Sequence, residues 1–192
     1  MNREAVLILI MLLVIAVLVK VVEFFQVSVV EADASNFVKD DLRSKYPGAD
    51  IEIMTITTKY NSEGGKYLEL KARVTEDAFS PCPERSHIFY NYPAQNFVPQ
   101  PPEVITGNCK VCTEGICTLA FPEEAIIASH TFKGTEDVAT YLRVHPDATP
   151  TVRESPDSWV IVWDSPSAES IYSATLKKDG TVAGVSGTPK PS

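Results

Sequence analysis

Hydrophobic positions fall along this chain in three rhythms. The first is unbroken: Ala5 to Val19 reads AVLILIMLLVIAVLV, fifteen apolar residues in succession, before Lys20 interrupts and Val21, Val22, Glu23, Phe24 and Phe25 follow. A membrane-spanning helix needs roughly 20 apolar residues at about 1.5 Å of rise each. Ala5 to Val22 just suffices if Lys20 snorkels to the headgroups. Residues 1–25 are therefore predicted to be a membrane anchor and its flanks. A cleaved signal peptide and a pilin-like stalk are the competing readings. The only A-x-A triplet near the run, Ala32-Asp33-Ala34, lies beyond Lys20, Glu23 and Glu31, too far and too charged for cleavage. A short basic leader ending in Gly, as pilin-like proteins carry, does not precede the run. An uncleaved signal anchor fits best, with the amino terminus in the cytoplasm behind a four-residue tail and the rest outside the cell.

The second rhythm is the three-to-four spacing of helices and the third is strand alternation. Asp33 is placed to cap a helix carrying Phe37, Val38, Leu42 and Tyr46 on one stripe, and Pro47-Gly48 stops it. Ile51 to Tyr60 is rich in β-branched residues, and Asn61 to Gly65 is a turn. Lys66 to Val74 then alternates, with Leu68, Leu70, Ala72 and Val74 on one face and Tyr67, Glu69, Lys71 and Arg73 on the other, as in a sheet with one wet face. This is a first α+β unit, residues 33–76.

A second unit is predicted over 118–187. Pro122 followed by Glu123 and Glu124 starts a helix, favoured by sterics and by the dipole. Gly134 to Asp137 starts another, with Val138, Tyr141, Leu142 and His145 on its inner side, and Pro146 ends it. Thr149 to Arg153 is extended. Trp159 to Asp164 is apolar on both faces, as in a central strand. Ile171 to Lys178 alternates into Lys178-Asp179-Gly180-Thr181, a strong hairpin signal, and Val182 to Val185 closes the sheet. Trp159 and Trp163 share one strand face, which fits core packing better than a ligand-stacking platform. Residues 188–192 end a Pro/Gly/Ser fray.

Between the units, residues 77–117 break every rhythm. They hold all four cysteines, six of the fourteen prolines and five aromatics, and read as an insertion with a short strand at His87 to Tyr92. The spacing is Cys82, then Cys109-x2-Cys112-x4-Cys117. An even count outside the cytoplasm favours disulfides, and a Cys109–Cys112 bridge would close a very tight loop. The favoured pairing joins Cys82 to Cys109 or Cys112 and Cys117 to the remaining one. A structural zinc held by all four is the alternative, weakened by the lack of a second C-x2-C half-site. A redox pair at Cys109 and Cys112 would need a helix start that Val111 and Thr113 do not signal. Phe89, Tyr90, Tyr92 and Phe97 sit in this Pro-rich stretch as a candidate partner surface, since exposed aromatics favour interfaces; covering a sheet face is the competing role.

The fold class expected is thus α+β: a transmembrane helix, then two helix-plus-antiparallel-sheet units flanking a Cys/Pro-rich insertion. The order helix–sheet, insertion, helix–sheet suggests internal duplication. VHPDATPTV, SWVIVWD and IYSATLKKDGTVAGV in the second half resemble a PepSY-type module, a helix followed by antiparallel strands with a closing Asp-Gly turn. SNFVKDDLRSKYPGADIEIM and KYLELKARV resemble the start of the same kind of cystatin-like unit. That resemblance implies an extracytoplasmic module that binds or modulates peptidases, and it supplies no catalytic residues.

The net charge of −8 removes nucleic acid from the partner classes, because phosphate recognition needs a basic face. Of the charged residues only Arg3, Glu4, Lys20 and Glu23 belong to the anchor, so the acidity lies in the domain, which anionic lipid repels. His87, His130 and His145 form no metal or hydrolase motif. Gly184 to Gly187 is not a nucleophile elbow. Asp40-Asp41 and Glu123-Glu124 read as solvated helix faces. No catalytic residue and no cofactor is assigned, apart from zinc as the alternative for the cysteines. The expectation is a noncatalytic, membrane-anchored binding or accessory module with an extracytoplasmic protein partner. A structural subunit of an envelope or pilin-like assembly and a redox or zinc factor are the alternatives.

Overall fold

The structure, a computed structural model, describes residues 11–18, 30–62, 64–93, 100–112 and 117–190. Most of the apolar run from Ala5 to Val22 lies outside these. Its described part, residues 11–18, is helical (α1). Met11, Leu12, Leu13 and Leu18 on it are each more than half exposed. No described helix is long and apolar enough to cross a membrane, so the expected transmembrane helix is not part of the described fold.

The rest is α+β, with two four-stranded antiparallel meanders. Helix α2 (Glu31–Lys45) packs Ala34, Val38 and Leu42 on the first sheet, β1 (Asp50–Tyr60), β2 (Lys66–Glu76), β3 (Glu84–Tyr92) and β4 (Glu103–Thr106). The alternation in β2 is realised in full: Leu68, Leu70 and Ala72 are wholly buried and Val74 nearly so. Helix α2 starts two residues before Asp33, behind Val30 and without a side-chain cap, and Phe37 stays 43% exposed. The expected cap and stripe are corrected to that extent.

The stretch expected to be an insertion supplies β3 and β4, half of the first sheet. Its prolines punctuate the strands rather than interrupt them. Pro81 and Pro83 precede β3, Pro93 follows it, and Pro101 and Pro102 precede β4, where a missing N–H costs no ladder bond.

In the second unit, α3 (Pro122–Thr131) and α4 (Glu136–Val144) cover one face of β5 (Thr149–Ser155), β6 (Ser158–Asp164), β7 (Ser170–Lys177) and β8 (Val182–Pro189). Trp159, Ile161, Trp163, Ala174 and Leu176 form the sheet side of the core. Both indole N–H groups are satisfied, Trp159 Nε1 on Leu119 O and Trp163 Nε1 on Ser129 Oγ, each at 2.9 Å. The tryptophans are core residues. The closing strand runs past Val185 to Pro189, and Lys190 is held by Asp164 at 2.7 Å, so the tail expected to be frayed is ordered through residue 190, and residues 191–192 lie outside the described residues.

Candidate functional site

Strand pairing separates the four expected partner-surface aromatics. Tyr90 and Tyr92 lie opposite Leu70 and Leu68 and pack on the core under α2. The Tyr90 hydroxyl donates to Asp41, and the Tyr92 ring lies 5.6 Å from that of Phe37. Burial and the Asp41 carboxylate push the Tyr90 hydroxyl far up from its usual range. Phe89 faces the other way, with the Lys71 ammonium 5.2 Å from its ring. Phe97 lies outside the described residues. Alternation along a strand explains the split, since neighbours point to opposite faces.

The cysteines pair as Cys82–Cys109, S–S 1.97 Å, and Cys112–Cys117, 2.01 Å. This is one of the two pairings the spacing favoured. His130 brings a ring nitrogen close enough that it and the first two sulfurs lie within 4.8 Å of one another. Those sulfurs are spent on each other, and His130 Nε2 donates to Pro81 O at 2.7 Å. Burial holds the His130 imidazole below its usual pKa. With both bridges closed, no sulfur carries the thiolate that zinc requires.

A buried polar cluster joins the two units. Arg85 Nη1 donates to Glu123 Oε2 at 2.9 Å and Arg85 Nε to His87 Nε2 at 3.2 Å. Because His87 Nε2 accepts, its proton sits on Nδ1, which donates to Glu103 Oε2 at 3.2 Å. Thr75 Oγ1 completes Glu123 at 3.0 Å. The guanidinium lies 3.8 Å from the centre of the Phe121 ring, and His87 meets that ring edge-on. Burial lowers the His87 pKa, opposed by Glu103 and reinforced by Lys71 and Arg85. Glu123 is therefore not on a solvated face, because the first turn of α3 points it at the first sheet. Glu124 instead accepts from the backbone of Ala120 and Phe121. Every partner in the Arg85–Glu123 cluster is internal, which is the chemistry of a joint.

The turn between β6 and β7 gathers Ser165, Ser167, His145 and Asp147. Ser165 and Ser167 donate to Asp147 Oδ1 at 2.7 and 3.1 Å, and His145 Nδ1 lies 3.2 Å from Ser167 Oγ. The order is Asp–Ser–His. A hydrolytic triad needs the carboxylate on the far side of the imidazole, orienting it as a base. Ser167 Oγ also lies 2.8 Å from Ser165 Oγ, so its one proton has two partners besides His145. The Ser165 hydroxyl, then that of Ser167, hold Asp147 below the usual carboxylate range.

Beside this turn, α4 and the start of β7 border an open groove of about 320 Å³. Its floor is a stack of rings: Tyr141 lies 4.8 Å from Tyr172 and 4.9 Å from His145. Two hydrogen bonds fix Tyr141, its hydroxyl donating to Ser170 O and accepting from Ser165 N, each at 3.1 Å. Gly187 on β8 lets the Tyr172 ring lie down, since a Cβ there would stand 2.9 Å from Cζ. Asp137, Thr140 and Val144 form the α4 wall, and Glu169 stands at the other side. Sequence reasoning placed Tyr141 and His145 on the buried side of α4 but gave no sign that Tyr172 and Glu169 converge on them. The packing of α4 against β7 decides that.

No family model matches this chain, and neither a curated protein nor a solved structure matches it.

Proposed function

We propose that this chain is a membrane-anchored, extracytoplasmic binding module without a catalytic role, and that its ligand face is the groove between α4 and β7. The groove carries this reading. It is a concave surface with a rigid aromatic floor, the kind of site that ligand recognition uses. The other polar clusters have partners within the chain. Arg85, Glu123 and His87 satisfy one another, and Asp147 is occupied by two serine hydroxyls. The anchor is supplied by the run from Ala5 to Val22, whose described part presents only apolar side chains to its surroundings. Two closed disulfides suit an oxidising compartment.

Val144 at the groove and Val104 on β4 are 64% and 67% exposed, which makes them a matched pair. In native membranes, Val144→Arg should abolish the discrete species that wild type forms with an amine-reactive crosslinker, while Val104→Arg should leave it. Protease added to intact cells should remove the domain and spare the amino-terminal fragment. An unchanged crosslinked species in Val144→Arg removes the groove from the reading, and a protected domain removes the orientation.

A further inference from the structure

We infer that β8 is a dimer edge, pairing antiparallel with β8 of a second copy about a twofold axis at Ser186 and so joining the four-stranded sheets of two copies into one. The two sheets of the chain end in the edges β1, β4, β5 and β8. Charges, prolines, bulges and shortness are the devices that keep an edge from adding a strand. β1 is broken by a bulge at Met54 and carries Asp50, Glu52 and Lys59. β4 is four residues long and starts at Glu103. β5 carries Pro150, Arg153 and Glu154. β8 has no charged residue from Val182 to Pro189, and its bulge, at Ala183, lies at its start. Gly184, Ser186, Gly187 and Thr188 are exposed, and no described strand pairs with the outer side.

The ladder shows which groups this edge offers. Lys190 N donates to Glu169 O at 2.8 Å, next to the pair Ser170–Pro189. Inward and outward backbone groups alternate along an antiparallel strand, so Thr188, Ser186 and Gly184 turn theirs to β7, while Gly187 and Val185 turn theirs out. Pro189, with no N–H to give, falls in the outward set, where a ladder loses nothing. Pairing centred on Ser186 sets Val185 opposite Gly187 of the partner subunit. That pair exchanges two N–H···O bonds, and the twofold axis supplies it twice. Centring on Val185 would draw in the bulged Ala183, and centring on Gly187 would set Val185 against a proline. One register therefore uses every outward backbone group of the regular stretch.

Charge selects a second copy as the occupant. A strand on a twofold axis meets its own residues, so a charge near the axis lies close to the same charge. The chain has a net charge of −8, yet β8 contributes none of it and brings serine to serine. The helices leave room, since α3 and α4 make their main contacts with β5, β6 and β7. The β7 strands of the two copies would stand three strand spacings apart, about 14 Å, beyond the roughly 8–10 Å at which helices pack. Edge pairing relies on main-chain bonds more than on apolar area. Copies anchored in one membrane meet at the high effective concentration that a short edge needs, and to that extent the inference rests on the anchor reading.

The experiment is oxidative crosslinking of full-length cysteine variants in intact cells with copper phenanthroline, read on a non-reducing gel. In this register the two Ser186 Cα atoms stand about 4.5 Å apart, within reach of a disulfide. Ser186→Cys should give a disulfide-linked dimer, and Thr151→Cys, exposed on the β5 edge, should give none. Gly184 has open space around it and no positive φ, so it tolerates a side chain. Gly184→Cys and Thr188→Cys should each stay monomeric alone and crosslink when co-expressed, because the register sets one opposite the other. An unchanged thermal midpoint checks the fold of each variant. No dimer from Ser186→Cys, or an equal dimer from Thr151→Cys, overturns the inference. Dimers from Gly184→Cys or Thr188→Cys alone overturn the register. An adduct of Ser186→Cys with a different protein in place of the dimer gives the edge to a foreign strand and overturns the second copy. Loss of the chain from alkali-washed membranes removes the anchor reading, and it is measured apart from the crosslink.

Discussion

Arg85 on β3 and Glu123 on α3 form an ion pair at 2.9 Å with side chains only 4% and 7% exposed, and this pair ties the first sheet to the helices of the second unit. Two charges withdrawn from water cost several kcal/mol each unless their attraction and further hydrogen bonds offset the loss. Here the offsets are present: Thr75 on the carboxylate, His87 on the guanidinium and the Phe121 ring beneath it. Removing one partner strands the other. Glu123→Gln or Arg85→Met should each destabilise the protein by about 3–5 kcal/mol in denaturant titrations. The double replacement Arg85→Met with Glu123→Leu should be less destabilised than the sum of its single changes. Strict additivity would mean that the pair is not coupled.

His87 makes the joint sensitive to pH. Its folded-state pKa is depressed, chiefly by burial, and a proton on Nε2 would in addition face the Arg85 N–H. An unfolded imidazole takes up its proton near pH 6.5, where the folded one still refuses it. The unfolded state then binds more protons, so stability rises with pH through that window. The contribution of neutral His87 is complete above about pH 6.5 and is lost as pH falls from there toward the folded value. His130, also depressed by burial, acts in the same direction. Unfolding free energy measured from pH 8 to pH 5 should be level at first and then fall. His87→Gln should reduce the slope below pH 6.5 without abolishing it. An unchanged slope in that variant would contradict the assignment.

The two disulfides should differ in worth. Cys82–Cys109 spans 27 residues of sequence and Cys112–Cys117 only 5. In the chain-entropy model the first contributes about 3.5 kcal/mol and the second about 2 kcal/mol. Each bridge also holds one cysteine at positive φ, Cys109 at 55° and Cys112 at 54°, so backbone conformation does not alter the ranking. Double Ser variants of each pair should rank in that order by denaturant midpoint. Alkylation of the untreated protein should label no cysteine until a dithiol is added.

Much of this fold is written locally. Leu68, Leu70, Ala72 and Val74 alternate on a sheet with one wet face, Pro122 starts α3, and Asp179-Gly180 turns β7 into β8 with Gly180 at φ 81°. Pairings across distance were not legible. Strand β4 is only four residues after two prolines, and its place in the sheet depends on Ser86 and His87 opposite Val104 and Glu103. Glu123 looked solvated because a glutamate in the first helical turn is already explained by the dipole. Its partner Arg85 lies 38 residues earlier. The groove was hidden for the same reason. Tyr141 has the spacing of a core residue, and only the fold brings Tyr172 beside it.

The most direct measurement maps what touches the groove in the cell. A photo-crosslinking amino acid replaces Val144 in one full-length variant and Val104 in another, residues of nearly equal exposure on different units. After irradiation of intact cells, the Val144 position should give one discrete adduct with a polypeptide, and the Val104 position should not. Equal adducts from both positions, or none from Val144, would contradict the groove as the binding face.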